Sequence, residues 1–396
     1  MIQMEQSDFL LESYSYELPE SFIAQLPAQP VESAKMLIWD QKKTSIVDSY
    51  FYELPSMLSD KDVLICNNTK VFKARIPLCK TKIIRKSWEI RYVDWEIFVY
   101  QLLPDCRIEC LVSDDKNFKP WSKVYVSEWI ILHSDEYAQD WIIFSVQWIH
   151  IFDFLEKYGQ MPLPPYIKYE KEKEKRYQTT FAQDLGSAAA PTASLHFSQE
   201  LLSEIKKIWT EINFTTLHVG LWTFKPVYES DIRKHKIHQE TIIVDKSLFQ
   251  KIYYWKANHK NVIAVWTTMV RLLETLPYLR ASLPISDIEE LCANEEMFQF
   301  WDKTISELSE EDIQKFVHDI NVHNNSIVCE TQLFIYPWWD FRIIDEMITN
   351  FHLPKSSLLM LVSALMWRKN ALYAYEHAKQ NDYKFYSFWD WMWIRK

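Results

Sequence analysis

Glycine is nearly missing. The chain of 396 residues has three, where an ordinary composition would place about 28. Turns, helix C-caps and close backbone approaches call for positive φ, which other residues adopt at roughly 1–2 kcal/mol each, and three glycines cannot serve a chain that must turn many times. Tryptophan runs the other way, with 18 residues. Glycine and tryptophan together make 21 residues, about 5% of the chain and an ordinary share for glycine alone. The deficit and the excess read as one fact: many of these tryptophans stand where the cell inserts glycine, at a recoded UGA codon. Trp121 lies in Lys-Pro-Trp-Ser, a type II turn pattern that wants glycine after proline, and Trp338 follows Pro337 directly after an apolar, strand-like run. The competing reading is a protein truly rich in tryptophan.

Other absences bound the class. Residues 1–13 carry acids and no basic run ahead of an apolar stretch, so they do not read as a signal peptide. The longest nearly apolar run, 358–366, is far too short to span a bilayer, and a cytoplasmic protein without membrane contact is expected. The six cysteines are scattered with no CxxC pair, which suggests reduced thiols and no metal site. No HExxH, P-loop or Ser-His-Asp order is present, leaving metalloprotease, NTPase and conventional hydrolase unsupported. The formal net charge of −10 argues mildly against nucleic acid, but distribution says more than the mean. Residues 70–86 hold Lys70, Lys73, Arg75, Lys80, Lys82, Arg85 and Lys86 with no acid. That stretch suits either phosphates or a solvated strand edge. Residues 287–312 reverse the balance, with ten acids against one lysine.

The pattern predicts an α/β main domain over 1–77 and 151–396 and an inserted small antiparallel β-barrel over 78–150. Within the insert, β-branched and aromatic runs recur at 96–102, 107–112, 123–126 and 141–146. Outside it, 62–66 reads as a strand ending in Asn67-Asn68-Thr69. The proline-rich run 161–167 reads as an extended connector, and Ser198 as the N-cap of a helix over 199–208 with Leu201, Leu202, Ile205 and Ile208 on one face. Strand and helix signals then alternate at 215–219, 262–265, 267–276 and 333–336, the mark of an α/β domain.

Three segments join a strand end to polar groups, the usual place for a site in an open α/β sheet. The first runs from Thr216 through His218 and Gly220 to Phe224; with glycine at 222 it offers a backbone cradle, though not a dinucleotide fingerprint. The second, Val265-Trp-Thr-Thr268, opens a helix carrying Arg271 and Glu274 and offers a helix N-terminus to an anion. The third is the polar loop Thr349-Asn-Phe-His-Leu-Pro354. Histidines cluster at His235 and His238 beside Glu240, with His196, His218 and His352 elsewhere. These are acid-base candidates by pKa, although a single histidine more often plays a structural part. Spacing alone reaches an enzyme-like α/β protein with a β insert.

Seven motifs in order carry a resemblance: Tyr16-Glu-Leu-Pro19, Asn67-Asn-Thr-Lys-Val-Phe-Lys-Ala-Arg75, Pro162-Leu-Pro-Pro-Tyr-Ile167, Arg176-Tyr-Gln-Thr179, Gly186-Ser-Ala-Ala-Ala-Pro-Thr-Ala-Ser-Leu-His-Phe197, Thr216-Leu-His-Val-Gly220 and Thr349-Asn-Phe-His-Leu-Pro354. From about Tyr14 to Ile394 the chain resembles the S-adenosylmethionine:tRNA ribosyltransferase-isomerases. In that family glycine ordinarily stands where this chain has Trp222, Trp266, Trp338 and Trp389, while Asn68, Lys70 and Ser194 replace the commoner Asp, Arg and Gly.

The resemblance implies an enzyme of queuosine biosynthesis. Such an enzyme moves and isomerises the ribosyl part of S-adenosylmethionine onto 7-aminomethyl-7-deazaguanine in a tRNA anticodon, giving epoxyqueuosine and releasing adenine and methionine. S-adenosylmethionine is then the ribosyl donor, tRNA the partner, no metal is demanded, and a monomer is expected. On that footing His218, His238, Glu240 and His352 are candidates for proton transfer. Gly220, Thr223, Thr267, Thr268 and Arg271 are candidates for holding S-adenosylmethionine. Asn67, Thr69, Arg75, Arg176 and Gln178 would meet the tRNA or modified base, Lys73 a phosphate, and Tyr177 would stack on a splayed base. Two alternatives belong to other classes: a catalytically inactive tRNA-binding homologue, if the indoles at 222 and 266 are real, and a methyltransferase using the same donor.

Overall fold

The computed structural model describes residues 5–26, 28–85, 87–103, 105–112, 121–137, 141–164, 167, 169–174, 176–220, 227–386 and 390–396. Thr223, Trp222, Trp389 and Lys86 therefore lie outside the described residues. The chain divides into two compact units, Met1–Asn68 with Thr179–Ala182 and Pro191–Lys396, and Thr69–Gln178 with Gln183–Ala190.

The first unit is built on a ten-stranded mixed sheet. Its strand order is Val317–Val322, Ser326–Thr331, Glu240–Asp245, Glu211–Leu217, Asp62–Asn67, Asn261–Val265, Glu346–Asn350, Trp391–Arg395, Lys35–Asp40 and Ser45–Tyr50. The four strands from Glu211–Leu217 to Glu346–Asn350 run parallel to one another. Asp62–Asn67 lies among them and is buried at every position, as expected for a parallel strand covered on both faces. The helix Thr267–Ser282 follows Asn261–Val265 directly and is buried from Thr267 through Arg280. A helix apolar on most of its surface belongs inside, and Pro277 is accommodated there. Glu274 of this helix is wholly buried. Its carboxylate accepts N–H bonds from Arg342 at 2.9 Å and from Ile343 and Ile344 at 3.0 Å, fixing the loop that enters Glu346–Asn350. The helix expected over 199–208 spans Gln199–Lys207. Ser198 Oγ accepts the Leu201 N–H, and Leu201, Leu202 and Ile205 are buried. The 333–336 run, expected as a strand, is buried at Leu333, Phe334 and Ile335 and half-buried at Tyr336, but joins no ladder among the described residues.

The second unit holds a closed barrel in the order Ile142–Gln147, Arg107–Val112, Ile90–Leu103, Arg75–Ile84, Lys123–Tyr125 and Ile131–Tyr137, antiparallel throughout. Ile76, Leu78, Ile83, Ile97, Val99, Ile108, Val124, Leu132 and Phe144 fill it. The expected boundaries at 78 and 150 differ from this unit's: the first barrel strand starts at Arg75, and the unit runs from Thr69 to Gln178. A two-stranded parallel ribbon, Thr69–Val71 with Asp184–Ser187, belongs to the same unit. Gly159 is one glycine whose absence of Cβ matters, because a Cβ there would lie 2.2 Å from the Lys73 carbonyl oxygen. Among the described residues no helix is long and apolar enough to cross a membrane.

Candidate active site

The four parallel strands end on one edge of the sheet, at Leu217, Asn67, Val265 and Asn350. Ligands of open α/β sheets bind outside such carboxyl ends. The segments beyond them are the three singled out in the sequence. Asn67 joins two of the strand ends: its side-chain amide donates to the Leu217 carbonyl at 2.9 Å and to Thr268 Oγ1 at 3.2 Å, while its Oδ1 accepts the Leu217 N–H at 3.2 Å. With 0% exposure, Asn67, expected to meet the tRNA or the modified base, serves as a clamp between strands. Asn68 Oδ1 accepts the Thr216 hydroxyl at 2.7 Å.

Glu240 opens the strand antiparallel to Glu211–Leu217, which brings it to the same edge. It forms a buried ion pair with Arg271, and the Gly220 N–H points to its Oε1 at 3.4 Å. Arg271 also donates through Nε to the Leu333 carbonyl at 3.0 Å. Its Nη2, and the Thr267 hydroxyl one helical turn earlier, are buried without a hydrogen-bond partner among the described residues. Leaving such donors unmet costs about 1–3 kcal/mol each, so a polar ligand at this edge would relieve them. The His218 N–H donates to the Thr241 carbonyl at 2.9 Å, fixing a half-buried His218 beside this group. His238, two residues before Glu240, is exposed. Among the described residues no group of three or more His, Cys, Asp and Glu could hold a metal ion.

His352 follows the last of the four strands and is buried. Desolvation pushes its imidazole down to about 3, so the ring is neutral near pH 7. Its Nε2 meets Thr349 Oγ1 at 2.9 Å, and its backbone N–H donates to the Tyr375 hydroxyl at 3.0 Å. Thr192 Oγ1 donates to Asn350 Oδ1 at 3.2 Å beside it. The ring named as a candidate for proton transfer is thus held neutral, with its Nε2 engaged by Thr349. His196 is likewise buried, with Nδ1 on the Val31 carbonyl at 2.7 Å, and burial pushes it down to about 4.

The expected tRNA contacts other than Asn67 lie in the barrel-containing unit, where five of them are buried or engaged by the unit's own groups. Tyr177 has 0% exposure and no ring face for a base. The Gln178 amide donates to the Val71 carbonyl and accepts the Val71 N–H, both at 3.1 Å, so it is used as a clamp. Lys73 is paired with Glu156 at 2.8 Å and Arg75 with Glu96 at 2.5 Å. Thr69 is buried in the ribbon. Lys70, Lys80 and Arg176 are exposed and form no ion pair among the described residues, and Lys82 lies 5.1 Å from the Tyr125 ring centroid. These cations were visible in the sequence as charge, but which of them carried a carboxylate partner was not.

Comparison with known proteins agrees along almost the whole chain. The family model described as queuosine biosynthesis protein matches residues 11–394. A protein of Sulfurihydrogenibium sp. (strain YO3AOP1) named S-adenosylmethionine:tRNA ribosyltransferase-isomerase is 36% identical over 386 residues, covering 97% of this chain and 99% of that one. The protein of the same name from Finegoldia magna is 36% identical over 394 residues, covering 97% of each. The one from Aquifex aeolicus is 35% identical over 401 residues, covering 97% and 99%. A solved structure, an S-adenosylmethionine tRNA ribosyltransferase from Thermotoga maritima, is 25% identical and covers 96% of this chain and 99% of that one at a TM-score of 0.48. With its family model matched from residue 11 to residue 394, the chain belongs to the queuosine biosynthesis protein family.

Proposed function

We propose that this chain transfers the ribosyl moiety of S-adenosylmethionine to 7-aminomethyl-7-deazaguanine in a tRNA anticodon and isomerises it, forming epoxyqueuosine and releasing adenine and methionine. The observation that carries the reading is the polar edge itself: Gly220, Glu240, Thr267, Thr268 and Arg271 beside His218, in a chain whose relatives bear that activity in their names.

The chemistry asks for few things of the protein. A proton made acidic by the adjacent sulfonium must be removed, adenine must be protonated as it leaves, and the amine of the modified base must attack while neutral. His218 is the proton-transfer group, since imidazole exchanges protons near neutral pH. Glu240 fixes the Arg271 guanidinium, whose open Nη2, with the Thr267 hydroxyl, meets polar atoms of the donor. His352 stays neutral and holds Thr349 in place. Lys70, Lys80, Lys82 and Arg176 supply cations for tRNA phosphates. The protein works in the cytoplasm as a monomer.

Product analysis tests the reading. Incubation with S-adenosylmethionine and tRNA bearing the modified base should release adenine and methionine together. S-adenosylhomocysteine would mean methyl transfer, and neither product would mean a binding protein; either overturns the proposal. His218→Gln should still bind S-adenosylmethionine while losing turnover.

A further inference from the structure

Sixteen residues other than glycine hold positive φ among the described residues, and seven of them are tryptophan: Trp88, Trp121, Trp148, Trp209, Trp266, Trp338 and Trp367, at 63°, 75°, 70°, 64°, 83°, 81° and 69°. No glycine does. Asp, Asn and His are the side chains that tolerate this region, and Asp105, His259, Asp319 and Asp382 account for part of the remainder. Tryptophan has no such excuse. Trp266 combines φ 83° with ψ 154°, and Trp367 combines φ 69° with ψ 139°. The first lies in a region that is essentially glycine-only, and the second lies at its border.

The local contexts ask for glycine independently. Trp209 follows the C-cap Ile208 of the helix Gln199–Lys207, the C′ position where glycine leads. Trp338 follows Pro337 with the φ of the third residue of a type II turn. Packing does not offset the strain either, because Trp88, Trp148 and Trp209 are 84%, 81% and 82% exposed. Tryptophans that behave as tryptophan are distinct: Trp255 is buried within a helix and donates its Nε1 to Glu211 at 3.0 Å, and Trp393 donates to Glu346 at 2.8 Å.

We infer that the protein made in its own cells carries glycine at positions 88, 121, 148, 209, 266, 338 and 367, the codons there being read as glycine by that cell's translation. Position 266 bears on the proposed site. Its indole is 2% exposed at the carboxyl end of Asn261–Val265, directly before Thr267 and Thr268, and glycine there vacates that volume while leaving the backbone as it is.

Peptide mass mapping of the protein isolated from cells that carry the gene decides the matter. Each of the seven positions should lack an indolylmethyl group; an intact tryptophan at 266 or 367 overturns the inference. A recombinant pair gives a second reading. The chain with glycine at all seven positions should melt about 10 °C or more above the chain as printed, whereas Trp255→Gly should melt below it. An equal or lower melting temperature for the seven-glycine chain also overturns the inference.

Discussion

Acidification should unfold this protein through two buried rings. Desolvation holds His352 down to about 3 and His196 down to about 4, while an unfolded histidine titrates near 6.5. Both folded values are depressed, so their contribution to stability is full above 6.5 and is lost as the pH falls, when the unfolded chain takes up protons that the folded one refuses. Between pH 7.5 and pH 5 each residue then removes about 2 kcal/mol, and the pair about 4, a large share of an ordinary folding free energy. Asp390 acts in the opposite sense. Burial raises it to about 6, so its favourable contribution is full at low pH and is lost as the pH rises through that value. A difference between wild type and variant cancels it. Urea denaturation at pH 7.5 and pH 5 should be compared for wild type, His352→Gln and His196→Asn. Gln offers an amide where Nε2 meets Thr349, and Asn a donor where Nδ1 meets Val31. Each variant should lose about 2 kcal/mol less than wild type over that range. Equal losses in wild type and variants would refute the reasoning, whatever the absolute stabilities.

Two further outcomes rest on other groups. Glu274→Ala should destabilise the protein by about 3 kcal/mol or more, because it orphans two buried backbone N–H groups and a part-buried third as well as opening space; a loss under about 1 kcal/mol in the same denaturation assay would show that the loop stands without it. Reversing charge at Lys70 and Arg176 should weaken tRNA binding and flatten its salt dependence more than reversing Lys73 and Arg75, which already hold carboxylates. Filter binding over a salt series showing the opposite order would remove the first pair from the phosphate contacts.

The strands 62–66 and 262–265 were legible because an unbroken apolar run between polar turns has few other uses, and Ser198 announced its helix through the capping pattern. Arg75–Ile84 was hidden. Its inward residues Ile76, Leu78, Thr81 and Ile83 break the period of two at a bulge between Leu78 and Thr81, and the basic residues around them read as a phosphate-binding stretch. The edge that gathers Gly220, Thr268 and Arg271 could be placed from strand ends. The duties of single polar side chains could not, since whether an amide faces a ligand or the chain's own backbone depends on partners remote in sequence. Asn67 reaches 150 residues along the chain and Gln178 reaches 107 back. Burial likewise took Tyr177 out of reach of a base, although nothing near it in the sequence marked it as interior.

The carboxamide bridges at Asn67 and Gln178 each give and receive at one residue of a neighbouring segment, so neither can be replaced by the corresponding acid. The exchange of one amide nitrogen for oxygen, Asn67→Asp, would strip the Leu217 carbonyl of its donor and place a carboxylate at a wholly buried strand end, and Gln178→Glu would take the donor from the Val71 carbonyl. Two of the chain's long-range joins, spanning 150 and 107 residues, thus each hang on the identity of a single side-chain atom.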